Sequence, residues 1–169
     1  MNLFIRHADV NDCALINDIA SRIWEPAYGS ILSKEQLIYM FEMMYSVESL
    51  HHQMTVEQHH YMLLYVDDVP SGYLSVERKS DNLFIYQKIY VLPALHGQGL
   101  GRYLFNQGIE YLRSSLSPDA PFTIELYVNR ANPAVDFYLH LGMTLVDTRD
   151  HYIGNDYYMN DYVMQIKLP

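Results

Sequence analysis

Cysteine is almost missing from this 169-residue chain: Cys13 stands alone. A single thiol excludes an internal disulfide framework and fits a reducing, cytoplasmic setting. Long apolar runs are missing too, and none approaches the roughly 18 residues that a membrane span needs. The first nine residues, M-N-L-F-I-R-H-A-D, turn polar too early for a secretory signal. Cations are few: 11 Lys and Arg stand against 20 Asp and Glu, a formal net charge of −9. Phosphate-rich nucleic acid needs clustered Lys and Arg, so the composition argues against that partner. The same charge suits a cationic acceptor, and equally suits plain solubility. Eight histidines are present. The adjacent pairs His51-His52 and His59-His60 lack the i,i+4 spacing of a helix-borne metal site, so no metal is expected. Repeats, low-complexity tracts and linkers are absent. The length fits one domain over residues 1–169, and half of the residues are hydrophobic, enough for a sizeable core.

What the chain does have is a glycine-rich turn between a strand and a helix. The stretch from Ile89 to Tyr111, I-Y-V-L-P-A-L-H-G-Q-G-L-G-R-Y-L-F-N-Q-G-I-E-Y, predicts a strand ending at Val91. A loop with glycines at 97, 99 and 101 follows, then a helix with apolar Leu100, Leu104, Ile109 and Leu112. Such a turn points several backbone N–H groups one way, and the positive end of the helix dipole helps them bind phosphate oxygens. Spacing separates the chemistries. A Walker loop needs Gly-Lys-Ser/Thr, which does not occur. A dinucleotide fingerprint needs a third glycine at Arg102 or Leu104, and no βαβ pattern precedes the loop.

The run His96-Gly97-Gln98-Gly99-Leu100-Gly101 resembles the pyrophosphate loop of the GNAT acetyltransferases, Gln/Arg-x-x-Gly-x-Gly/Ala, in every position but the first, where His96 stands. A second stretch resembles that family's other signature: Ala134, Phe137, Tyr138 and Gly142 match Asn, then Ala-x-x-Phe-Tyr, then Gly-Phe, with Met143 in place of the Phe. Asn132 lies one residue from the family's Asn position. It is equally a natural N-cap for a helix with Pro133 in its first position and Gly142 beyond its end. The two motifs keep the family's order. The resemblance covers residues 81–168 well and residues 1–80 in outline.

The rest of the pattern agrees. Leu3–His7 alternates as an edge strand. Asp9 is placed to cap a helix to about Trp24, and Pro26 and Gly29 break it. Ser33 and Gln36 form a capping-box pattern for a helix burying Leu37, Met40, Phe41 and Met44. Residues 47–58 read as a short helix or a loop. Strands are expected at 61–66, 71–78 and 83–92, then at 122–128, 143–149 and 157–167. The order βααβββαβαββ is that of an α+β domain on a mixed, mostly antiparallel sheet of about seven strands with helices on both faces, matching the GNAT layout.

The resemblance implies acetyl-CoA as donor. The pantetheine arm would pair with backbone at Ile89 and Val91 like an added strand, in a gap the family opens beside the strand at Val128. Amides from Gln98 to Arg102, with His96, Gly97, Gly99, Leu100 and Gly101 shaping the loop, would hold the pyrophosphate. A Cβ at 99 or 101 is expected to obstruct close approach or strain the backbone. Acyl transfer to an amine needs a stabilised oxyanion and a protonated leaving thiolate. The Val91 N–H is assigned the first and the Tyr138 phenol the second, with no covalent enzyme intermediate. Asn132 and Tyr138 complete the cofactor set. Some family members carry a catalytic Glu on the long strand. That place is Ile85 here, which leaves Glu77, His151 or a water relay as base.

The acceptor side is expected from the first helices and the last hairpin: Trp24, Glu25 and Tyr28, with Glu77, His151, Tyr152, Tyr157 and Tyr158. Aromatic faces and carboxylates suit an ammonium, and these segments resemble the polyamine acetyltransferase branch. Acetylation of a small primary amine is the leading function. A CoA-binding sensor or assembly module without catalysis is the alternative, and a nucleotide-binding regulatory domain a distant third. Exposed aromatics leave room for a homodimer.

Overall fold

A computed structural model describes residues 1–169. Seven strands form one mixed sheet in the order β1-β2-β3-β4-β5-β7-β6. The contacts gather into two compact units, residues 1–77 with 87–118 and residues 78–86 with 119–169. The strand β4 (Leu83–Val91) contributes to both.

In the first unit β1 (Leu3–His7) pairs antiparallel with β2 (His60–Val66), which pairs antiparallel with β3 (Val69–Arg78). Asp67 and Asp68 make the β2–β3 turn with φ of 49° and 65°, the left-handed pair that a two-residue hairpin requires. Asp9 caps a 3₁₀ turn at Val10–Asp12 rather than the helix itself: it accepts the Asn11 N–H at 2.8 Å while Asp12 accepts its own N–H at 2.9 Å. The helix α1 (Cys13–Tyr28) runs past the expected stop at Trp24, because Pro26 falls in its last turn, where its missing N–H costs one bond. Its apolar stripe, Ile16, Ile19, Ala20, Ile23 and Trp24, is buried, each Ile stabilising by about 1.5–3 kcal/mol.

The helix α2 (Lys34–Tyr45) starts on Ser33, whose hydroxyl accepts the Gln36 N–H at 3.1 Å. Residues 47–58 resolve into a third helix, α3 (Val47–Thr55), capped by the Ser46 hydroxyl on the Ser49 N–H at 3.2 Å. The element order therefore carries three helices before β2 rather than two. The last carbonyls of α2 all find donors: Glu42 from the Ser46 N–H, Met43 from the Ser49 hydroxyl, Met44 from Lys88 and Gln53, and Tyr45 from Asn17. A helix end inside a core demands such partners. The unit closes with α4 (Leu100–Ser114), which buries Leu100, Leu104, Phe105 and Leu112.

In the second unit the start of β4 pairs parallel with β5 (Phe122–Asn129), from Leu83 opposite Thr123 to Tyr86 opposite Leu126. The strand β7 (Tyr157–Leu168) pairs antiparallel with β5 along its length and with β6 (Thr144–Gly154) on its other side. The β6 strand extends five residues beyond the expected Arg149. Asn155 and Asp156, with φ of 54° and 61°, make its hairpin turn. The short helix α5 (Ala134–His140) follows β5 and ends before Gly142 at φ +99°. No helix in the structure is long and apolar enough to cross a membrane.

Candidate active site

The glycine turn is built by two left-handed residues, which glycine occupies at least cost. Gly97 and Gly99 have φ of +83° and +78°, and a Cβ on either would meet nothing within 4 Å. The requirement is conformational, not steric: another residue would bear the left-handed penalty of about 1–2 kcal/mol. At Gly101, inside α4 with no positive φ, backbone strain is not the reason for glycine. Gly99 occupies the N-cap of α4 and offers no side-chain cap. The first backbone bond of the helix runs from Tyr103 N–H to the Gly99 carbonyl at 3.0 Å, so the N–H groups of Leu100, Gly101 and Arg102 lie in the turn that α-helices leave without internal acceptors. With open space beside both glycines, the geometry fits an anion. The charge distribution agrees: in a chain of net charge −9, no Asp or Glu occurs from Asn82 to Ile109.

His96 is turned back on its own strand. Its backbone N–H donates to the Pro93 carbonyl at 3.1 Å, and its Nε2 lies 3.0 Å from the Val91 carbonyl oxygen. A carbonyl only accepts, so Nε2 carries a proton. That ring N–H is thus engaged within the protein. Ile89 and Val91 are buried near the end of β4, and Leu92 N–H donates to the Ser71 carbonyl at 2.9 Å.

Trp24 and Tyr28 are core residues, 3% and 7% exposed. Their rings lie 4.6 Å apart, and the Tyr28 hydroxyl meets the Tyr90 hydroxyl at 2.9 Å. Glu25 is exposed. Glu77 sits six residues along β3 from Ser71, about 20 Å of strand, where Gln87 Nε2 donates to it at 2.8 Å and His59 Nε2 lies 3.6 Å away. Ser71 pairs with Leu92, so Glu77 and Val91 lie toward opposite ends of the β3–β4 pair.

Beneath this strand lies a group that sequence reasoning missed. Lys88 is buried, and its ammonium donates to the Met44 carbonyl at 3.0 Å, Gln53 Oε1 at 2.9 Å and the Tyr61 hydroxyl at 2.6 Å. The Tyr45 and Tyr61 rings lie 4.2 and 5.3 Å from it. Burial pulls its pKa down to about 7. The available signal was a lone cation on the Phe84-Tyr86-Lys88-Tyr90 face of an otherwise apolar strand.

In the second unit Tyr138 is buried on α5, its ring 5.4 Å from that of Phe137. Asn132 Oδ1 accepts the Ala134 N–H at 2.9 Å, so the side chain does cap the helix, one residue earlier than the formal N-cap Pro133. His151 is exposed on β6 opposite Met159, and Tyr157 starts β7 opposite Gly154. Tyr152 and Tyr158, about half exposed, face each other across the hairpin with ring centroids 5.2 Å apart. Below that hairpin Asp161, 2% exposed, accepts from Arg149 Nε at 3.1 Å. Arg149 in turn lies 3.5 Å over the Tyr127 ring.

A family model described as the acetyltransferase (GNAT) domain matches residues 31–154. The chain belongs to the GNAT family of acetyltransferases. This GNAT domain is similar in fold to the PaiA N-acetyltransferase of Thermoplasma acidophilum in complex with coenzyme A, with TM-score 0.77, 17% identity, 99% of this chain and 100% of that one covered. It is similar also to the ribosomal-protein-S18-alanine N-acetyltransferase of Escherichia coli, with TM-score 0.71, 18% identity and 98% and 94% coverage. A mutant form of the spermidine/spermine N-acetyltransferase SpeG of Vibrio cholerae gives TM-score 0.65, 17% identity and 98% and 93% coverage. At these identities the likeness is one of fold. Comparison by sequence with curated proteins finds no relative of this GNAT domain.

Proposed function

We propose that this GNAT acetyltransferase moves the acetyl group of acetyl-CoA directly onto the primary amine of a cationic small molecule of the polyamine type. The observation that carries the donor half is the turn at Gly97–Arg102: two left-handed glycines and a helix start without a side-chain cap, within a stretch of sequence free of Asp and Glu in an acidic chain. Those features suit a diphosphate, and a similar fold has been solved with coenzyme A. The backbone from Gln98 to Arg102 holds the diphosphate in this reading, and Ile89 and Val91 offer backbone partners to the pantetheine arm. Acetyl-CoA would supply the thioester, with coenzyme A as the leaving thiol.

The chain's own groups then do two things. The Val91 N–H donates to the oxygen on which charge develops as the amine nitrogen bonds to the carbonyl carbon. Tyr138 gives its phenol proton to the sulfur as the C–S bond breaks, since a phenol carries its proton at neutral pH. The proton lost by the amine goes to water, because Glu77, at the far end of β3, is removed from Val91, and water returns a proton to the Tyr138 phenolate. The net charge of −9 supports a cationic acceptor, and a spermidine/spermine acetyltransferase shares the fold. Peptide N-termini are the competing acceptors, given the similar S18-alanine enzyme.

The experiment is thiol release from acetyl-CoA with polyamines, amino acids and peptide N-termini. Polyamines are expected to be turned over with the highest kcat/KM. Tyr138→Phe is expected to lower kcat about 10²-fold while calorimetry shows acetyl-CoA still bound. Folded protein that gives no heat with acetyl-CoA would remove the donor assignment. Preference for peptides would remove the acceptor assignment alone.

A further inference from the structure

The two peptide units on either side of Val91 are held from outside the strand, and the residues that hold them have no place in the chemistry described above. Gly72 on β3 packs against the first. A Cβ built on Gly72 would lie 2.6 Å from the Tyr90 carbonyl oxygen, 3.3 Å from Val91 Cα and 3.4 Å from Val91 Cγ2. The first distance is shorter than real Cβ contacts tolerate, and the obstacle is backbone, which has no rotamer to change. Gly72 is not at positive φ, so its glycine is explained by this approach and not by conformation. The Tyr90 carbonyl and the Val91 N–H belong to one planar peptide. Whatever moves that carbonyl moves that N–H.

The second unit, Val91–Leu92, is gripped at both ends. Its N–H donates to the Ser71 carbonyl at 2.9 Å, and its carbonyl accepts from His96 Nε2 at 3.0 Å. Ser71 is itself 1% exposed, with its hydroxyl donating to the Val69 carbonyl at 2.8 Å. Neighbouring residues of β3 thus clamp consecutive peptides of β4, and the first residue of the glycine turn closes the clamp. All of these groups lie in the first unit.

We propose that Gly72 and His96 are positioning residues for acetyl transfer: Gly72 sets the plane of the Tyr90–Val91 peptide by leaving room for its carbonyl, and His96 locks the next peptide by donating to the Val91 carbonyl. The inference rests on the proposed use of the Val91 N–H as oxyanion donor. It also gives His96 a role other than phosphate ligand. Its backbone N–H and its Nε2–H are both engaged within the protein. A donor that must meet the oxyanion at hydrogen-bond distance is sensitive to shifts of a few tenths of an ångström, whereas a diphosphate held by several backbone amides beyond Gly97 is not displaced by a tilt at Val91.

The test compares Gly72→Ala with the parent. Expected are a fall of at least 10-fold in kcat, an acetyl-CoA Kd within about 3-fold of the parent by calorimetry, and a shifted Val91 amide cross-peak in the ¹⁵N-resolved NMR spectrum. Ile19→Val, a core variant in the same unit, controls for lost stability: its kcat and Val91 cross-peak should not move. For His96, Ala is expected to lower kcat and Gln, whose amide can donate to the same carbonyl, to restore it. Parental kcat and an unmoved Val91 amide in folded Gly72→Ala would overturn the proposal for Gly72. Failure of Gln to restore what Ala loses, or uptake of a proton by His96 when coenzyme A binds, would overturn it for His96. An inactive parent that binds no acetyl-CoA would instead strike the underlying reading of the site.

Discussion

Each unit of this acetyltransferase encloses a charge, and the two are accommodated by opposite means. Lys88, in the first, faces no carboxylate at hydrogen-bond distance. Three neutral acceptors and two aromatic rings surround its ammonium. Asp161, in the second, is paired with the guanidinium of Arg149, and burial still raises its pKa above the usual carboxylate value. The redundancy of the partners differs as well. Each acceptor of Lys88 has another bond: Met44 O receives Gln53 Nε2 at 2.8 Å, and Tyr61 donates to Gln53 Oε1 at 2.5 Å. Asp161 depends on Arg149 for its direct side-chain ion pair. A buried charge served by self-sufficient neutral dipoles can be deleted cheaply, whereas half of a buried ion pair cannot.

The largest effect should come from breaking the pair. Arg149→Met is expected to cost about 3–5 kcal/mol at pH 7, since it strands a carboxylate in the core. Denaturant unfolding measures this, and part of the loss should return on acidification as Asp161 takes up a proton. Lys88→Met is expected to stay within about 1 kcal/mol of the parent in the same assay. Equal losses in the two variants would end the contrast.

A smaller effect sharpens it through pH. The folded pKa of Lys88, about 7, lies below the ordinary lysine value of 10.5. Between those values the unfolded chain holds a proton that the folded chain has released, so stability rises with pH. From pH 7 to 8.5 the slope should approach at most about 1.4 kcal/mol per pH unit, and Lys88→Met should flatten it. Above that range Cys13, Tyr45, Tyr61 and Tyr73, whose pKa values burial raises, act in the opposite direction.

What the sequence made legible follows from the same distinction between local and tertiary causes. The glycine turn was readable because left-handed φ is a local demand that glycine meets without the steric cost of a Cβ. Most strand spans were readable because apolar runs bounded by turn residues are local too, though β6 ran five residues past its expected end. Lys88 was not: a lysine is ordinarily solvated, and only the convergence of Met44, Gln53 and Tyr61 makes this one a core residue. Trp24 and Tyr28 show the converse. Their aromatic character fits a ligand surface and a core alike, and the sequence has no way to show how deeply they are buried. Asn132 was ambiguous between cap and ligand because one side-chain oxygen serves either purpose. The third helix was uncertain because its nine residues are near the lower limit at which pattern speaks.

The smallest expected effect concerns a pair of histidines. His7 Nδ1 and His60 Nε2 lie 2.7 Å apart, so one donates and the other accepts, and both cannot be protonated. Desolvation, then the neighbouring His7, holds the His60 pKa below 6.5. The unfolded chain therefore binds protons that the folded one refuses, and stability declines as pH falls through about 6.5. His60→Gln should make this acid limb shallower in thermal unfolding. An unchanged limb would show that other groups set it.

The acid-free run from Asn82 to Ile109 has a kinetic corollary. Coenzyme A is a polyanion, and it must reach that run through the far field of a molecule carrying nine surplus negative charges. Encounter is opposed at long range and favoured only at close approach. Counter-ions shorten the reach of the opposing field first, so added salt should quicken capture of the donor while slowing that of a polyamine. Ionic strength would then shift which of the two ligands arrives first.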